Sequence, residues 1–212
     1  MAGTTGRVAP KKARTISLDG APDTASLTPK QSDRRRRVID AAIALATEGG
    51  YEAVQMRDVA AKAKVALGTL YRYFPSKDQL LVAALGEWAE DLRTRQRPVR
   101  GGTKADRVAQ VLRGTVRALE RQPNLSHAFV TGLASLDPDE PGSIERAGQV
   151  YQTMSAIISD AMNGEDVPDR DTLMRVLGQM WFAVLVFWVR GWSPGNVMED
   201  DLAAAARLLI RD

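Results

Sequence analysis

Apolar residues recur three and four positions apart along most of the chain, which is the spacing of one face of an α-helix. Gly, Pro and Asn interrupt the pattern at intervals, and no stretch alternates apolar and polar residues as a half-buried strand would. The pattern predicts nine helices, over about residues 32–48, 56–63, 67–74, 77–96, 104–122, 125–136, 144–162, 169–190 and 196–210. The sequence therefore predicts an all-α fold.

The first predicted helix follows a polar segment and ends at a pair of glycines. Ser32 or Asp33 is its expected N-cap, and Gly49–Gly50 is its expected stop. Its first turn would then hold four consecutive arginines, residues 34–37, where the helix dipole disfavours positive charge. We expect some of these arginines to contact phosphates, the alternative being a solvated charged face. Residues 1–31 lack periodicity, which indicates a disordered basic arm.

Residues 54–79 predict two short helices and the start of a third. Lys64–Ala66 is a three-residue turn between the two short helices, and Pro75 ends the second of them. Ser76 is the expected cap of the third helix, and Gln79 would complete a capping box. Two short helices joined by a tight turn form a helix-turn-helix, whose second helix enters the major groove of DNA. That second helix presents polar and aromatic side chains outward: Thr69, Tyr71, Arg72 and Tyr73.

The stretch VALGTLYRYFPSKDQLL, residues 65–81, resembles the signature of the TetR-type transcriptional repressors. The chain departs from that signature at Ala66, where the family usually carries a capping Ser or Thr. The longer stretch GGYEAVQMRDVAAKAKVALGTLYRYFPSK resembles, more narrowly, the KstR-type repressors of actinobacterial cholesterol catabolism. The resemblance implies a nine-helix fold with a helix-turn-helix DNA-binding domain over 32–78 and an effector-binding, dimerising domain over 79–212.

The same resemblance assigns expected roles within the helix-turn-helix. The matching family positions that touch base edges are Arg57, Leu67, Gly68 and Tyr71. The matching positions that hold the DNA backbone are Thr69, Tyr73 and Lys77, with Tyr73 alternatively a packing residue. The expected partner is therefore a double-stranded, palindromic operator bound by a homodimer.

The helix predicted over 169–190 carries VLGQMWFAVLVFWV, which is apolar around its whole circumference. Such a helix has to be buried on all sides. We expect the core of the same chain to cover one side and a second subunit the other, the alternative being a larger monomeric core. The last helix, with Asn196 as expected cap and Glu199 completing a box, supports the dimer, which the resemblance also implies. Its stripe consists largely of small residues: Leu202, Ala205, Ala206 and Leu209.

Methionine and aromatic residues in the second half suit a lining for large apolar ligands. The candidate effector-binding residues are Phe129, Met154, Gln179 and Phe182, although core packing explains the apolar ones equally well. Gln179 needs a hydrogen-bond partner if it is buried, which could be the backbone, the second subunit or a ligand. The single histidine, His127, reads more simply as an exposed or satisfied side chain than as a ligand contact.

The KstR-type resemblance implies a hydrophobic effector, specifically a sterol-derived CoA thioester. An arginine-rich junction over 93–100, with Arg113 and Arg117, is the basic surface expected to receive its phosphates, unless these arginines only solvate a linker. The fourth helix, starting at Lys77, would transmit the signal. The rival interpretations are a multidrug-efflux repressor that binds lipophilic cations, and a sequence-tolerant architectural DNA-binding protein.

Composition narrows the function classes further. Residues 1–100 carry 18 Lys and Arg against 11 Asp and Glu, whereas residues 101–212 carry 11 against 15, so the basic half is the one expected to meet DNA. The chain has no cysteine and one histidine, and it lacks the sequence motifs of nucleotide-binding loops and nucleophile elbows. We therefore expect no catalytic residues, no metal site and no cofactor. The longest apolar run, 176–189, would span roughly 21 Å, short of a bilayer, so the protein is expected to be cytoplasmic.

Overall fold

The computed structural model describes residues 27–210, which form nine α-helices and no strand. This confirms the all-α prediction. The helices are α1 Pro29–Ala53, α2 Met56–Ala63, α3 Leu67–Tyr73, α4 Lys77–Arg95, α5 Lys104–Glu120, α6 Pro123–Ser135, α7 Ser143–Ala161, α8 Arg170–Val189 and α9 Gly195–Leu209. Most of the predicted arm, residues 1–26, lies outside the described residues.

Helix α1 begins earlier than its sequence pattern indicated. Thr28 is the N-cap, and its side chain and that of Gln31 form a reciprocal capping box, with Pro29 as the first helical residue. The expected caps Ser32 and Asp33 are therefore wrong. The arginines at 34–37 lie beyond the first turn, so the argument from the helix dipole does not apply to them.

The glycine pair ends the regular helix at the predicted stop, and only a short helical turn follows it. Gly49 and Gly50 both depart from helical geometry, and Gly50 has a φ of 70°, after which the helix resumes as far as Ala53. This places the hydroxyl of Tyr51 where it donates a hydrogen bond to Asp78, 2.7 Å away at the start of α4. Burial and this carboxylate raise the pKa of Tyr51 to about 12. The end of α1 is thus joined to the start of α4.

Two hydrophobic cores lie along α4. The first is formed by α1, α2, α3, the first half of α4 and α6, and it contains Phe74 and Phe129. The second is formed by α5, α7, α8 and α9. Trp88 of α4 packs against both. Because α6 contributes to the first core, the helix-turn-helix is packed directly on the second half of the chain.

Two of the expected capping boxes are wrong, because tertiary partners use the side chains. Ser76 accepts the Gln79 backbone N–H at 3.3 Å, but the Gln79 amide turns away to residues of the α6–α7 loop and α7. Helix α9 begins at Gly195 without a side-chain cap, and Glu199 accepts hydrogen bonds from Arg117 of α5 instead of closing a box. A cap is a local preference of about 1 kcal/mol, which one competing ion pair can offset.

Helix α8 is buried on one side only within the described chain. Its inner face contributes Leu177, Trp181 and Leu185 to the second core. Its outer face exposes a stripe at intervals of four residues: Arg175, Gln179, Ala183 and Phe187. The expectation that this helix is buried on all sides is therefore met only if a second subunit covers the stripe.

The length argument against a membrane span has to be corrected. At 20 residues, α8 is long and apolar enough by composition to cross a membrane, because the helix extends beyond the apolar run alone. The core helix of a soluble protein meets the same criteria. Here the inner face of α8 packs on α6, α7 and α9, which favours a core helix.

Candidate nucleic-acid interface

The helix-turn-helix is built as its sequence pattern predicts. Lys64 adopts the left-handed conformation, φ 54°, and turns the chain between α2 and α3. Leu70 and Phe74 point into the first core and are fully buried, so α3 is anchored along one face. Ala66 is the N-cap of α3 and supplies no side-chain hydrogen bond, as expected from the departure at that position.

The residues expected to read bases lie on the outer surface. Arg57, near the start of α2, and Gly68, near the start of α3, are exposed. Tyr71 is 46% exposed, an unusual fraction for an aromatic residue. Leu67 and the backbone-holding candidate Thr69 are partly exposed beside them. Five of the seven predicted DNA contacts are therefore exposed or partly exposed, and their contact with DNA stays a prediction.

Gly68 has no packing reason to be glycine. A Cβ built at this position meets no atom within 4 Å, and Gly68 has an ordinary helical conformation. A missing side chain at an open position lets another surface approach the backbone closely. This is the geometry that a major groove edge requires.

The two remaining candidates for DNA contact are Tyr73, whose hydroxyl is buried, and Lys77, which contacts another residue of the protein. The Tyr73 hydroxyl is buried and has no hydrogen-bond partner, so this side chain would have to turn outward to reach a phosphate. Lys77 donates to the carbonyl of Tyr51 at 3.2 Å, and its ammonium lies 3.7 Å from the centre of the Tyr51 ring. DNA would compete with these contacts for Lys77. The roles of Tyr73 and Lys77 stay predictions.

The four consecutive arginines of α1 differ in their surroundings: one makes contacts within the protein, and others are exposed to solvent. Arg35 forms an ion pair with Glu87 of α4, and its guanidinium lies over the Phe74 ring, 5.6 Å from the centroid. Arg36 and Arg37 are exposed, so their guanidiniums are accessible to the phosphates that we expect some of these arginines to contact. Sequence alone does not separate these roles, because Glu87 is 52 residues away from Arg35.

Sequence analysis missed the contacts between the α3–α4 region and the second half of the chain. The loop between α6 and α7, together with Arg146 of α7, lies against the turn that joins α3 to α4. The partners are 62 to 73 residues apart in sequence, so no local pattern marks them.

The four predicted effector-binding residues are not brought into one cavity. Phe129 lies in the first core against Trp88, with ring centroids 6.0 Å apart, whereas Met154 lies in the second core. Gln179 is exposed on the outer stripe of α8, so it needs no buried partner, and Phe182 is half-buried. His127 is exposed, in line with the simpler interpretation.

A cleft lies at the arginine-rich junction that the sequence singled out. It has a volume of about 530 Å³ and opens between the end of α4, α5 and the end of α7, with Arg93 and Arg97 in its wall. Its apolar wall contains Pro98, Val99, Val111 and Ile157. Arg93 donates to Asp160 at 2.7 Å, an interaction that raises the pKa of Arg93.

The other two expected phosphate-binding arginines are occupied elsewhere. Arg113 donates to Asp200 at 2.9 Å and Arg117 to Glu199 at 3.0 Å, both on α9. Neither lines the cleft. Their assignment to an effector's phosphates is therefore wrong in this conformation, because α9 presents carboxylates along the outer face of α5.

Comparison with known proteins places this arrangement in a family. Residues 38–84 match the model of the bacterial regulatory proteins of the tetR family, and residues 101–209 match the tetracyclin repressor-like C-terminal domain. The chain is 39% identical over 183 residues to the HTH-type transcriptional repressor KstR of Mycolicibacterium smegmatis, covering 85% of this chain and 88% of that protein. It is 39% identical to KstR of Mycobacterium tuberculosis, covering 86% and 83%.

Solved structures agree on the fold. A TetR transcriptional regulator from Rhodococcus sp. RHA1 superposes with a TM-score of 0.75 at 35% identity, covering 85% of this chain and 96% of that one. Thermus thermophilus FadR, solved with lauroyl-CoA, reaches 0.58 at 20% identity, covering 84% and 96%. EbrR, solved with ethidium, reaches 0.60 at 22%, covering 84% and 99%. The last two show a shared fold alone, so they do not choose between effector classes.

The family models cover both halves of the chain, and the relatives matched over most of their length are repressors, not enzymes. The chain belongs to the TetR family of bacterial regulatory proteins, as a helix-turn-helix transcriptional repressor.

Proposed function

We propose that this repressor binds a palindromic operator as a homodimer and releases it when a hydrophobic effector binds, controlling genes of steroid or lipid catabolism. The observation that carries the DNA-binding part is that α3 has one buried side and one exposed side. Leu70 is buried, while Gly68 and Tyr71 of the same helix and Arg57 of α2 are exposed. A helix anchored in this way can enter a major groove as a rigid body. Because the target is chromosomal DNA, we place the protein in the cytoplasm.

Arg57 provides the test of base reading. Arginine discriminates guanine by a bidentate contact worth about 1–3 kcal/mol. Arg57→Ala is therefore expected to lose discrimination at one base pair of a duplex that the wild-type protein selects from a random pool. Binding to each single-base variant of that duplex gives the measurement.

Lys62→Ala is the matched control, because Lys62 is an exposed cation on the same helix and pairs with Glu48 at 3.1 Å. It is expected to leave the base preferences unchanged. If Arg57→Ala weakens all duplexes equally, Arg57 contacts a phosphate, and the base-reading role is refuted.

The effector part of the proposal rests on the junction cleft. A volume of about 530 Å³ lies within the usual range of small-molecule sites, roughly 300–1,000 Å³. Its apolar wall suits a sterol body, and Arg97, which is exposed and makes no ion pair among the described residues, is available for a phosphate. The relatives named KstR fit control of steroid catabolism, and the choice of a sterol-derived CoA thioester rests on the apolar wall and Arg97 together.

A thermal-shift comparison tests the effector class. A ligand that binds only the native state at 100 times its Kd adds about 2.7 kcal/mol of stability, which raises the Tm of a chain of this size by roughly 5–11 °C. We expect the CoA thioester of a sterol side-chain acid to raise the Tm more than the free acid does, and Arg97→Ala to remove the difference. Ethidium is the probe for the multidrug alternative. Equal shifts for the thioester and the acid would remove the head group from the proposal, and a larger shift with ethidium would favour the alternative.

A further inference from the structure

The C-terminal end of the recognition helix is held by residues from the second half of the chain. Four side-chain hydrogen bonds join the α3–α4 turn to the α6–α7 loop and α7. We call this set the α3–α7 clasp, and its members are Tyr73, Ser76, Gln79, Glu140, Pro141 and Arg146. Ser76 donates to Glu140 at 2.9 Å and Gln79 donates to the carbonyl of Pro141 at 3.0 Å.

Arg146 is the centre of the clasp. Its Nε donates to the Gln79 side-chain oxygen at 2.8 Å, and its Nη2 donates to the backbone carbonyl of Tyr73 at 2.9 Å. Tyr73 is the last residue of α3, so its carbonyl is one of those that a helix leaves without an internal partner. A guanidinium at this end also meets the negative pole of the helix dipole.

The position of Arg146 is costly, which argues that its hydrogen bonds matter. Burial and the nearby charge of Arg35 lower the pKa of Arg146 to about 10. Both guanidiniums lie over the same Phe74 ring, Arg146 at 5.0 Å and Arg35 at 5.6 Å from its centroid. Arg35 is paired with Glu87, whereas no ion pair is found for Arg146 among the described residues. A partly buried arginine held by neutral acceptors contributes orientation more than net stability.

We propose that Arg146 is a positioning residue for the recognition helix, which couples the position of α7 directly to the angle at which α3 meets DNA. This inference rests on the proposed DNA-reading role of α3. It adds a second route between the two halves of the chain, separate from the expected one through the far end of α4. Any shift of the start of α7 either moves the Tyr73 carbonyl with it or breaks the clasp.

Arg146→Met tests this positioning role. Methionine keeps an unbranched apolar chain and removes both hydrogen bonds and the charge. Hydrogen exchange of the free protein is expected to accelerate about tenfold in the α3 amides, while the amides of α5, α8 and α9, which lie outside the clasp, keep wild-type rates. Affinity for the duplex selected by the wild-type protein is expected to fall about tenfold relative to scrambled DNA. Arg146→Lys, which keeps the charge but not the two-pronged donor geometry, is expected to give an intermediate effect.

Arg107→Met is the matched control. Arg107 is buried and likewise donates to backbone carbonyls, those of Ala161 and Gly102, but it lies on α5 outside the clasp and also pairs with Glu165. Its loss is expected to accelerate exchange near α5 and α7 and to leave α3 exchange and DNA selectivity unchanged. Gln79→Leu, which removes a clasp partner without altering Arg146, is expected to repeat the Arg146→Met pattern on a smaller scale and serves if Arg146→Met does not fold.

Wild-type α3 exchange in Arg146→Met and Gln79→Leu would overturn the proposal, as would an equal loss of affinity for selected and scrambled DNA. The exchange experiment needs no DNA, so it decides the clasp separately. If the wild-type protein selects no duplex at all, the DNA-reading role fails while the exchange result still tells whether α7 positions α3.

Discussion

Ala183→Arg is expected to convert the protein into a monomer that no longer binds a two-fold operator tightly. Ala183 lies in the middle of the exposed stripe on α8, between Gln179 and Phe187. Phe187 is 50% exposed, and Leu208 of α9 is 79% exposed. A free apolar face on two adjacent helices marks an interaction surface, and a second copy of α8 and α9 is the occupant that the proposed homodimer requires.

The size of this effect follows from the symmetry. In the proposed dimer, the middle of the α8 stripe would lie near the two-fold axis, where a residue meets its own copy, so the substitution would place two like charges together in an interface that excludes water. Desolvating each charge costs several kcal/mol. A monomer also loses the second half-site, and linked binding strengthens affinity by roughly 10²–10⁴-fold. We therefore expect at least about a hundredfold loss of affinity for the selected duplex.

Sedimentation velocity at micromolar concentration without DNA is the direct measurement. Ala134→Arg is the matched control, since Ala134 is exposed on α6 and lies outside the stripe, and it is expected to leave the dimer intact. A dimer that survives Ala183→Arg would place the interface elsewhere and leave the apolar face of α8 unexplained.

Phe74→Ala is expected to produce the largest loss of stability in the helix-turn-helix, about 3–5 kcal/mol. Phe74 is fully buried, and its ring packs in the first core beneath the guanidiniums of Arg35 and Arg146. Removing the ring leaves a cavity that α1, α4 and α7 cannot close without moving. Urea unfolding at one fixed protein concentration measures the change, because the stability of a dimer depends on concentration.

Tyr71→Ala is the informative contrast three positions away. Tyr71 lies on the outer face of α3, so its loss is expected to change stability by no more than about 0.5 kcal/mol while weakening DNA binding. The two substitutions should therefore separate an effect on folding from an effect on DNA binding. A large loss of stability in Tyr71→Ala would show that the exposed ring is a structural residue and would contradict its predicted place at the DNA surface.

The helix-turn-helix could be predicted almost residue by residue because its determinants are local. Apolar spacing, a short turn and Pro75 define α2 and α3, and the observed bounds of α2 are those predicted. The outward exposure of Gly68 and Tyr71 followed from the same spacing, since a helix that buries Leu70 has to turn those positions away. Arg57 is exposed for the matching reason on α2, whose buried face consists of Val59, Ala60 and Ala63.

Helix ends were less predictable because several side chains compete for each cap. Thr28 caps α1 four residues before Ser32, the first of the two caps that the pattern predicted. Gln79 and Glu199 had capping geometry available, but each forms stronger contacts with an arginine from another helix. The local sequence makes such a cap possible, but whether the cap forms depends on competing contacts with residues distant in sequence.

In the C-terminal half, the roles of individual residues could be assigned only from the tertiary structure. Met154 and Phe182 are residue types found both in ligand pockets and in hydrophobic cores, so residue type alone does not tell which of these environments they line. The apolar pattern of α8 required burial all round, but only packing shows that Gln179 lies on the outer stripe.

The sequence by itself determined nine helices, a helix-turn-helix and its family, because these depend on spacing between near neighbours. The tertiary structure alone decided which arginines are free and which hold the fold. Arg35, Arg113 and Arg146 are alike as residue types, yet their partners lie 52, 87 and 67 or 73 positions away. Contacts at such separations arise from how the helices pack, and packing depends on all the apolar faces of the chain at once.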